Sequence, residues 1–125
     1  MHELAVCQSL LGQIETVAME NRATAVHRVT LQIGPLSGIE PPLLQQAFPI
    51  ATAGTIAENA VLEIELLPIR VACNRCGAES EAVANKLICG ECGDWQTRLL
   101  SGDEMLLASL ELDRSEAPQP AQQLN

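Results

Sequence analysis

The chain predicts an α+β fold: a small mixed three-stranded sheet with two helices, interrupted by an inserted cysteine module. Three observations carry this expectation. Two stretches repeat apolar residues at three- and four-residue steps, the spacing of one helix face. Three others alternate apolar and polar residues, the spacing of a half-buried strand. Between the second and third of these lie two C-x-x-C-G turns.

Residues 2–21 read as an amphipathic helix, with Leu4, Cys7, Leu11, Ile14 and Ala18 on one stripe, widened by Val6, Leu10 and Val17. Cys7 sits inside that stripe and reads as a small buried apolar residue. Residues 26–33 alternate, with Val29, Leu31 and Ile33 facing one way, and stop at Gly34-Pro35. His27, on this strand, reads as a packed or surface side chain rather than a ligand. Pro41-Pro42 can open a second helix, because an amide proton missing from the first turn costs nothing there. Leu43, Leu44, Ala47 and Phe48 supply its apolar side, and Glu40 precedes it, where a negative charge is favourable. Pro49 removes one hydrogen bond and crowds the carbonyl of Gln45, so a kink or break is expected there, with Gly54 ending the element.

In the second strand Leu62, Ile64 and Leu66 alternate with Val61, Glu63 and Glu65, the two carboxylates reading as a solvated face. A third strand is expected over 104–113, with Leu106, Ala108, Leu110 and Leu112 on one face and Ser109, Glu111 and Asp113 on the other. Residues 114–125 carry two prolines and several glutamines without periodicity, and are expected to be disordered. The expected division is an α/β domain over 1–69 and 98–113, with the cysteine module over 70–97.

That module holds Cys73-Asn74-Arg75-Cys76-Gly77 and Cys89-Gly90-Glu91-Cys92-Gly93, with twelve residues between the two C-x-x-C motifs. Four thiolates in paired turns suit a tetrahedral d¹⁰ ion, so the spacing reads as a closed structural Zn²⁺ site in a zinc ribbon. Iron in a rubredoxin-like centre and a pair of disulfides are the other readings of this spacing. The first usually comes with a small aromatic core, for which the chain offers only Phe48 and Trp95. The second is disfavoured wherever thiols stay reduced. With few large apolar residues of its own, the ribbon is expected to fold only around its metal.

Lys and Arg number 7 against 16 Asp and Glu, a formal net charge of −9. That argues against binding a phosphate backbone, which needs clustered cations, so a DNA-reading ribbon is not expected. No apolar run approaches the roughly 20 residues of a membrane span, and the first residues lack the cationic flank of a signal peptide, which makes the cytoplasm the expected compartment. No nucleophile–base pair or Gly-rich phosphate loop is evident, so the chain reads as non-enzymatic.

A second metal chemistry is written at Met1-His2-Glu3. A large second residue should block removal of Met1, leaving its α-amine free. That amine, the amide nitrogen of His2 and the Nδ1 of its imidazole can close fused five- and six-membered chelate rings. Three coplanar nitrogens suit Ni²⁺ or Cu²⁺. Glu3 or a partner group could complete the set, and such an unfinished site can hold an ion and still release it. Protons compete for the same nitrogens, so occupancy should fall on mild acidification.

Together these features resemble the HypA/HybF family of hydrogenase-maturation nickel metallochaperones. The resemblance covers about residues 1–113 and rests on Met-His-Glu-Leu at the start, Ile33-Gly34-Pro35-Leu36-Ser37-Gly38-Ile39-Glu40, Gly54-Thr55-Ile56-Ala57-Glu58 and the paired C-x-x-C turns. It implies a mixed α/β nickel-binding domain and a zinc ribbon. It implies that His2 is the essential nickel ligand, with the Met1 amine and Glu3 beside it and Glu40 a secondary candidate. It implies that Cys73, Cys76, Cys89 and Cys92 hold zinc. The implied partners are a nickel-delivering GTPase and the large subunit of [NiFe]-hydrogenase, and sometimes urease. Two positions depart from the family pattern: Pro49 replaces an acidic residue, and Asn59 replaces a glycine whose turn Asn should tolerate. The competing readings are an acidic zinc-ribbon adaptor in transcription or translation, and a rubredoxin-like electron carrier.

Overall fold

The computed structural model describes residues 2–114. The elements run α1 (His2–Glu20), β1 (Ala23–Ile33), α2 (Pro41–Thr52), β2 (Val61–Leu66), β3 (Ile69–Cys73), β4 (Glu79–Ala82), β5 (Thr97–Ser101) and β6 (Met105–Arg114). They build two three-stranded sheets, ordered β2-β1-β6 and β4-β3-β5. The first is mixed, with β2 parallel and β6 antiparallel to the central β1. The second is antiparallel and lies in sequence between β2 and β6, where the inserted ribbon was expected.

The core forms where α1 and α2 cover one face of the first sheet. Cys7, Leu10, Ile14 and Ala18, three or four residues apart, are buried against Leu44, Ala47 and Phe48 of α2 and Val26, Val29, Leu31, Ile33 and Leu62 of the sheet. Burial of each large aliphatic side chain contributes about 1.5–3 kcal/mol. The opposite sheet face is polar. There Arg28 pairs with Glu63 on one neighbouring strand and with Glu111 on the other, and Gln32 donates to Glu65 at 3.2 Å. These exposed pairs add little stability, but their spread over three strands suits a solvated face.

Local chemistry sets the ends of α1. Glu3 lies in its first turn, and its C-terminus closes as Asn21 Nδ2 donates to the Val17 carbonyl at 2.8 Å. Arg22 then reverses the chain with φ 56°, the one non-glycine in the left-handed region among the described residues. Asn59 is therefore outside that region, and its turn stands on Glu58 and Ala60 amides donating to the Thr55 and Ala57 carbonyls instead.

Four expectations need correction. β1 begins at Ala23, three residues earlier than its alternation indicates, because pairing with Asp113 and Arg114 extends it. In β6 the register slips between Thr30–Ser109 and Leu31–Leu107, leaving Ala108 as a bulge. The core side is consequently Met105, Leu107, Leu110 and Leu112, while Leu106 is 48% exposed and Ala108 also faces out. Arg114, expected to start the tail, ends β6; residues 115–125 lie outside the described residues. Finally, α2 does not break at Pro49 but continues to Thr52. Only the last turn follows the proline, and buried Phe48 and Thr52 hold it, the Thr52 hydroxyl donating to the Phe48 carbonyl at 2.9 Å. The helix still lacks one amide, so Pro49→Ala should stabilise the protein by about 1–3 kcal/mol in urea titrations. Unchanged or lower stability would show that the proline fits at no cost.

Candidate metal centre

β3 delivers Cys73 at its end, and the five-residue turn Cys73–Gly77 returns the chain through Cys76. Cys89–Gly93 repeats the turn. In each, the glycine takes a left-handed conformation (φ 80° at Gly77, 77° at Gly93) and donates its amide to the carbonyl of the first cysteine, at 3.1 and 3.0 Å. That geometry turns two further amides onto a sulfur. Arg75 and Cys76 donate to Cys73 Sγ, both at 3.3 Å, and Glu91 and Cys92 donate to Cys89 Sγ at 3.3 and 3.4 Å. The two turns face each other, with Cys73 Sγ 3.7 Å from Cys92 Sγ and Cys76 Sγ 3.6 Å from Cys89 Sγ.

All four sulfurs lie within 4.8 Å of one another. Sulfurs 2.3 Å from a common tetrahedral centre stand about 3.8 Å apart, so the donor set fits Zn²⁺ with little adjustment. No disulfide joins them; all five cysteines are free thiols. The electrostatics separate the four. The Cys76 amide, joined by the Arg75 amide, outweighs desolvation and lowers Cys73 to about 6. Amides of Cys92 and Glu91 lower Cys89 likewise. At Cys92 the Asp94 amide pulls downwards, but desolvation and the three neighbouring sulfurs prevail and push it up to about 12. Cys76 is raised too, its own backbone bond from Ala78 overcome by Cys89 and desolvation. Each turn thus pairs one thiol whose ionisation the amides favour with one whose ionisation the neighbouring sulfurs oppose, an opposition that a divalent cation beside it would relieve. Nothing aromatic packs here: Trp95 is 74% exposed and Phe48 belongs to α2. The aromatic surroundings of a rubredoxin-like centre are missing.

The amino-terminal residues occupy the opposite arrangement, open rather than closed. His2 begins α1 and is exposed, while Glu3 is half-buried; Met1 lies outside the described residues. Glu40 is the N-cap residue of α2, yet its side chain makes no capping bond. Its amide instead donates to Glu3 Oε2 at 3.4 Å, joining positions 37 residues apart. Pro41 and Pro42 contribute no amide protons, so Glu3 is not captured by the usual helix-terminal donors. His2, Glu3 and Glu40 do not converge as a side-chain cluster; the described residues contain one such cluster, the four cysteines.

Two apolar grooves flank this end. One, of 260 Å³, is lined by Glu3, Leu4, Leu43, Gln46, Ala47 and Ile50. The other, of 320 Å³, runs past Ile39, Glu40, Pro41 and Pro42 to Leu66. Ile50 and Leu66 are 69% and 66% exposed. Neither helix, nor the loop between Gly34 and Glu40, carries a lysine or arginine. The remaining polar candidates have ordinary roles. Cys7 is fully buried, its thiol raised by desolvation and by Glu3, and contacts the Leu44 carbonyl at 3.8 Å. His27 Nε2 lies 2.8 Å from Asp113 on the sheet edge. What the alternation of the sequence does not mark is Gly102, whose carbonyl accepts from the Leu36 amide at 2.7 Å close to the Glu40 loop.

Residues 1–112 match the family model described as "Hydrogenase/urease nickel incorporation, metallochaperone, hypA". The chain is 49% identical over 112 residues to the hydrogenase maturation factor HypA of Nitrosospira multiformis, covering 90% of this chain and 97% of that one. It is 45% identical over 113 residues to its counterpart in Aquifex aeolicus, covering 90% and 98%. The solution structure of the Ni metallochaperone HypA from Helicobacter pylori superposes with a TM-score of 0.68 at 26% identity, covering 90% of this chain and 98% of that one. By family match, sequence identity and shared architecture, the chain belongs to the HypA family of hydrogenase and urease nickel-incorporation metallochaperones.

Proposed function

We propose that this chain carries Ni²⁺ as cargo for maturation of [NiFe]-hydrogenase, bound at its amino terminus, while Cys73, Cys76, Cys89 and Cys92 hold a resident Zn²⁺. The nickel set is the Met1 α-amine and the backbone and imidazole nitrogens of His2, with Glu3 and secondarily Glu40 as oxygen donors. The observation that carries this reading is the placement of His2 at the exposed start of α1, with Glu3 held against the Glu40 amide. Planar nitrogen donors with a nearby carboxylate suit Ni²⁺, and an open coordination sphere permits ligand exchange with a recipient. The zinc supplies a structural crosslink between the two cysteine turns.

Delivery needs no catalysis by this chain: nickel moves by ligand substitution, and nucleotide hydrolysis belongs to the partner. The partners are the nickel-delivering GTPase of hydrogenase maturation and the hydrogenase large subunit, in the cytoplasm. The two grooves beside Glu3 and Glu40, apolar and with carboxylates as their charged groups, are where such a partner would bring its own ligands to the ion. No helix among the described residues is long and apolar enough to cross a membrane.

Calorimetric Ni²⁺ titration tests the site with wild type, His2→Ala and a form extended before Met1. One change deletes the imidazole and the other converts the amine to an amide, so each should weaken binding at least about tenfold. Equal affinity in all three would eliminate the terminal site.

A further inference from the structure

The ribbon meets the β2-β1-β6 sheet where three chain segments touch. Gly34, directly after β1, has no room for a side chain: a Cβ there would stand 2.1 Å from the Gly102 carbonyl oxygen and 2.2 Å from its carbon. Gly102, between β5 and β6, has φ 125°, and its own Cβ would stand 2.9 Å from Ile69 Cγ1 and 3.1 Å from Ile69 Cα. Ile69 opens β3, the strand that ends in Cys73. Four hydrogen bonds close the contact. Gly34 donates to the Glu104 carbonyl at 2.9 Å, Leu36 to the Gly102 carbonyl at 2.7 Å and Leu67 to the Ile33 carbonyl at 2.9 Å. Gly102 donates to Glu104 Oε1 at 2.8 Å.

We propose that Gly34 and Gly102 form a seat that positions the nickel-binding end, acting on Glu3 through the Leu36–Glu40 loop. The inference rests on the terminal nickel site proposed above. The loop is short: Ser37, Gly38 and Ile39 alone separate Leu36 from Glu40. Its interior is tied by the Ile39 amide donating to Ser37 Oγ at 3.2 Å. One end is therefore pinned to the Gly102 carbonyl, and the other presents the amide that holds the Glu3 carboxylate. A displaced Gly102 carbonyl must move the Leu36 amide, and three intervening residues leave little slack to absorb the change. Because Gly102 also rests on Ile69, the seat is shared with the ribbon. Gly34 and Gly102 touch no nickel ligand directly; they are positioning residues.

Two variants disturb the seat from different sides. Gly102→Ala crowds Ile69 and strains the backbone, whereas Glu104→Ala only removes the acceptor for the Gly102 amide. Gly54→Ala is the control, with φ 78° and nothing within 4 Å of its Cβ, so it carries backbone strain without crowding. Both seat variants should keep one zinc per chain, shift the Glu3 and Glu40 amide resonances of nickel-free protein, and weaken Ni²⁺ binding about tenfold. The control should leave both readouts unchanged. A seat that merely stabilises would lower the melting temperature while the Glu40 resonance and the nickel affinity stay put, and that result overturns the proposal. Should Gly102→Ala fail to fold, Glu104→Ala decides alone. Should His2→Ala bind nickel like wild type, the terminal site falls, and the Glu40 resonance still decides whether the seat positions that end.

Discussion

Stripping the metal from the four-cysteine cluster should unfold residues 69–101 while the two helices and the β2-β1-β6 sheet stay folded. The ribbon has little else to hold it. Its buried apolar residues are Ile69, Val71 and Ala72 plus the sulfurs of Cys73 and Cys89, while Val83, Trp95, Leu99 and Leu100 are exposed. Ordering a residue costs roughly 1–2 kcal/mol, a sum that so small a core does not offset. Zinc binding to small modules supplies on the order of 10–16 kcal/mol. Proteolysis of chelated protein should therefore cut within 70–98 far faster than in the loaded form, and Cys73→Ala should behave alike. Cleavage at the same rate in both forms would sink the expectation. Reloading should depend on pH with a definite sign. Cys73, lowered to about 6, offers the first thiolate above that value, so zinc uptake should slow as pH falls through it.

Gly34→Ala should be the most damaging single substitution outside the cysteines. A methyl 2.1 Å from the Gly102 carbonyl oxygen meets backbone rather than a side chain that can rotate away. Relief requires the β5–β6 connection to move, breaking the bonds from Gly34 to Glu104 and from Leu36 to Gly102. Overpacking ordinarily costs about 1–3 kcal/mol, and the lost bond of the buried Gly34 amide adds roughly 1–3 kcal/mol, that of the half-buried Leu36 amide less. Denaturant unfolding of purified protein should show a loss of at least about 3 kcal/mol, or no folded protein at all. A loss below about 1 kcal/mol would mean that the joint yields easily.

The order of α1, β1, α2, β2 and β6 was legible because each apolar pattern is local, whereas β3, β4 and β5 of the ribbon were not read as strands. Leu10, Ile14 and Ala18 mark α1, and Val29, Leu31 and Ile33 mark β1, without any knowledge of partners. The face of β6 was not legible, since Ala108 bulges in response to pairing with Thr30 and Leu31, and alternation alone cannot register an unpaired residue. Pro49 misled for a related reason: local propensity argues for a break, but Phe48 and Thr52 are held by the core. The cysteine cluster could be read outright, its ligands being paired within turns. The contact of Glu3 with Glu40 spans 37 positions, so only the family resemblance pointed to it. Gly34 read as a strand terminator, and its role against Gly102 emerges only in three dimensions.

The attachment of the ribbon has an evolutionary consequence. Its entering and leaving strands both hang from the same end of β1, through Leu67 on Ile33 and through Gly102 and Glu104 on Leu36 and Gly34. Strands β2, β1 and β6 complete their sheet without borrowing a strand from it. An insertion anchored at one doorway in this manner can be enlarged, recombined or exchanged for another cassette without rethreading its host.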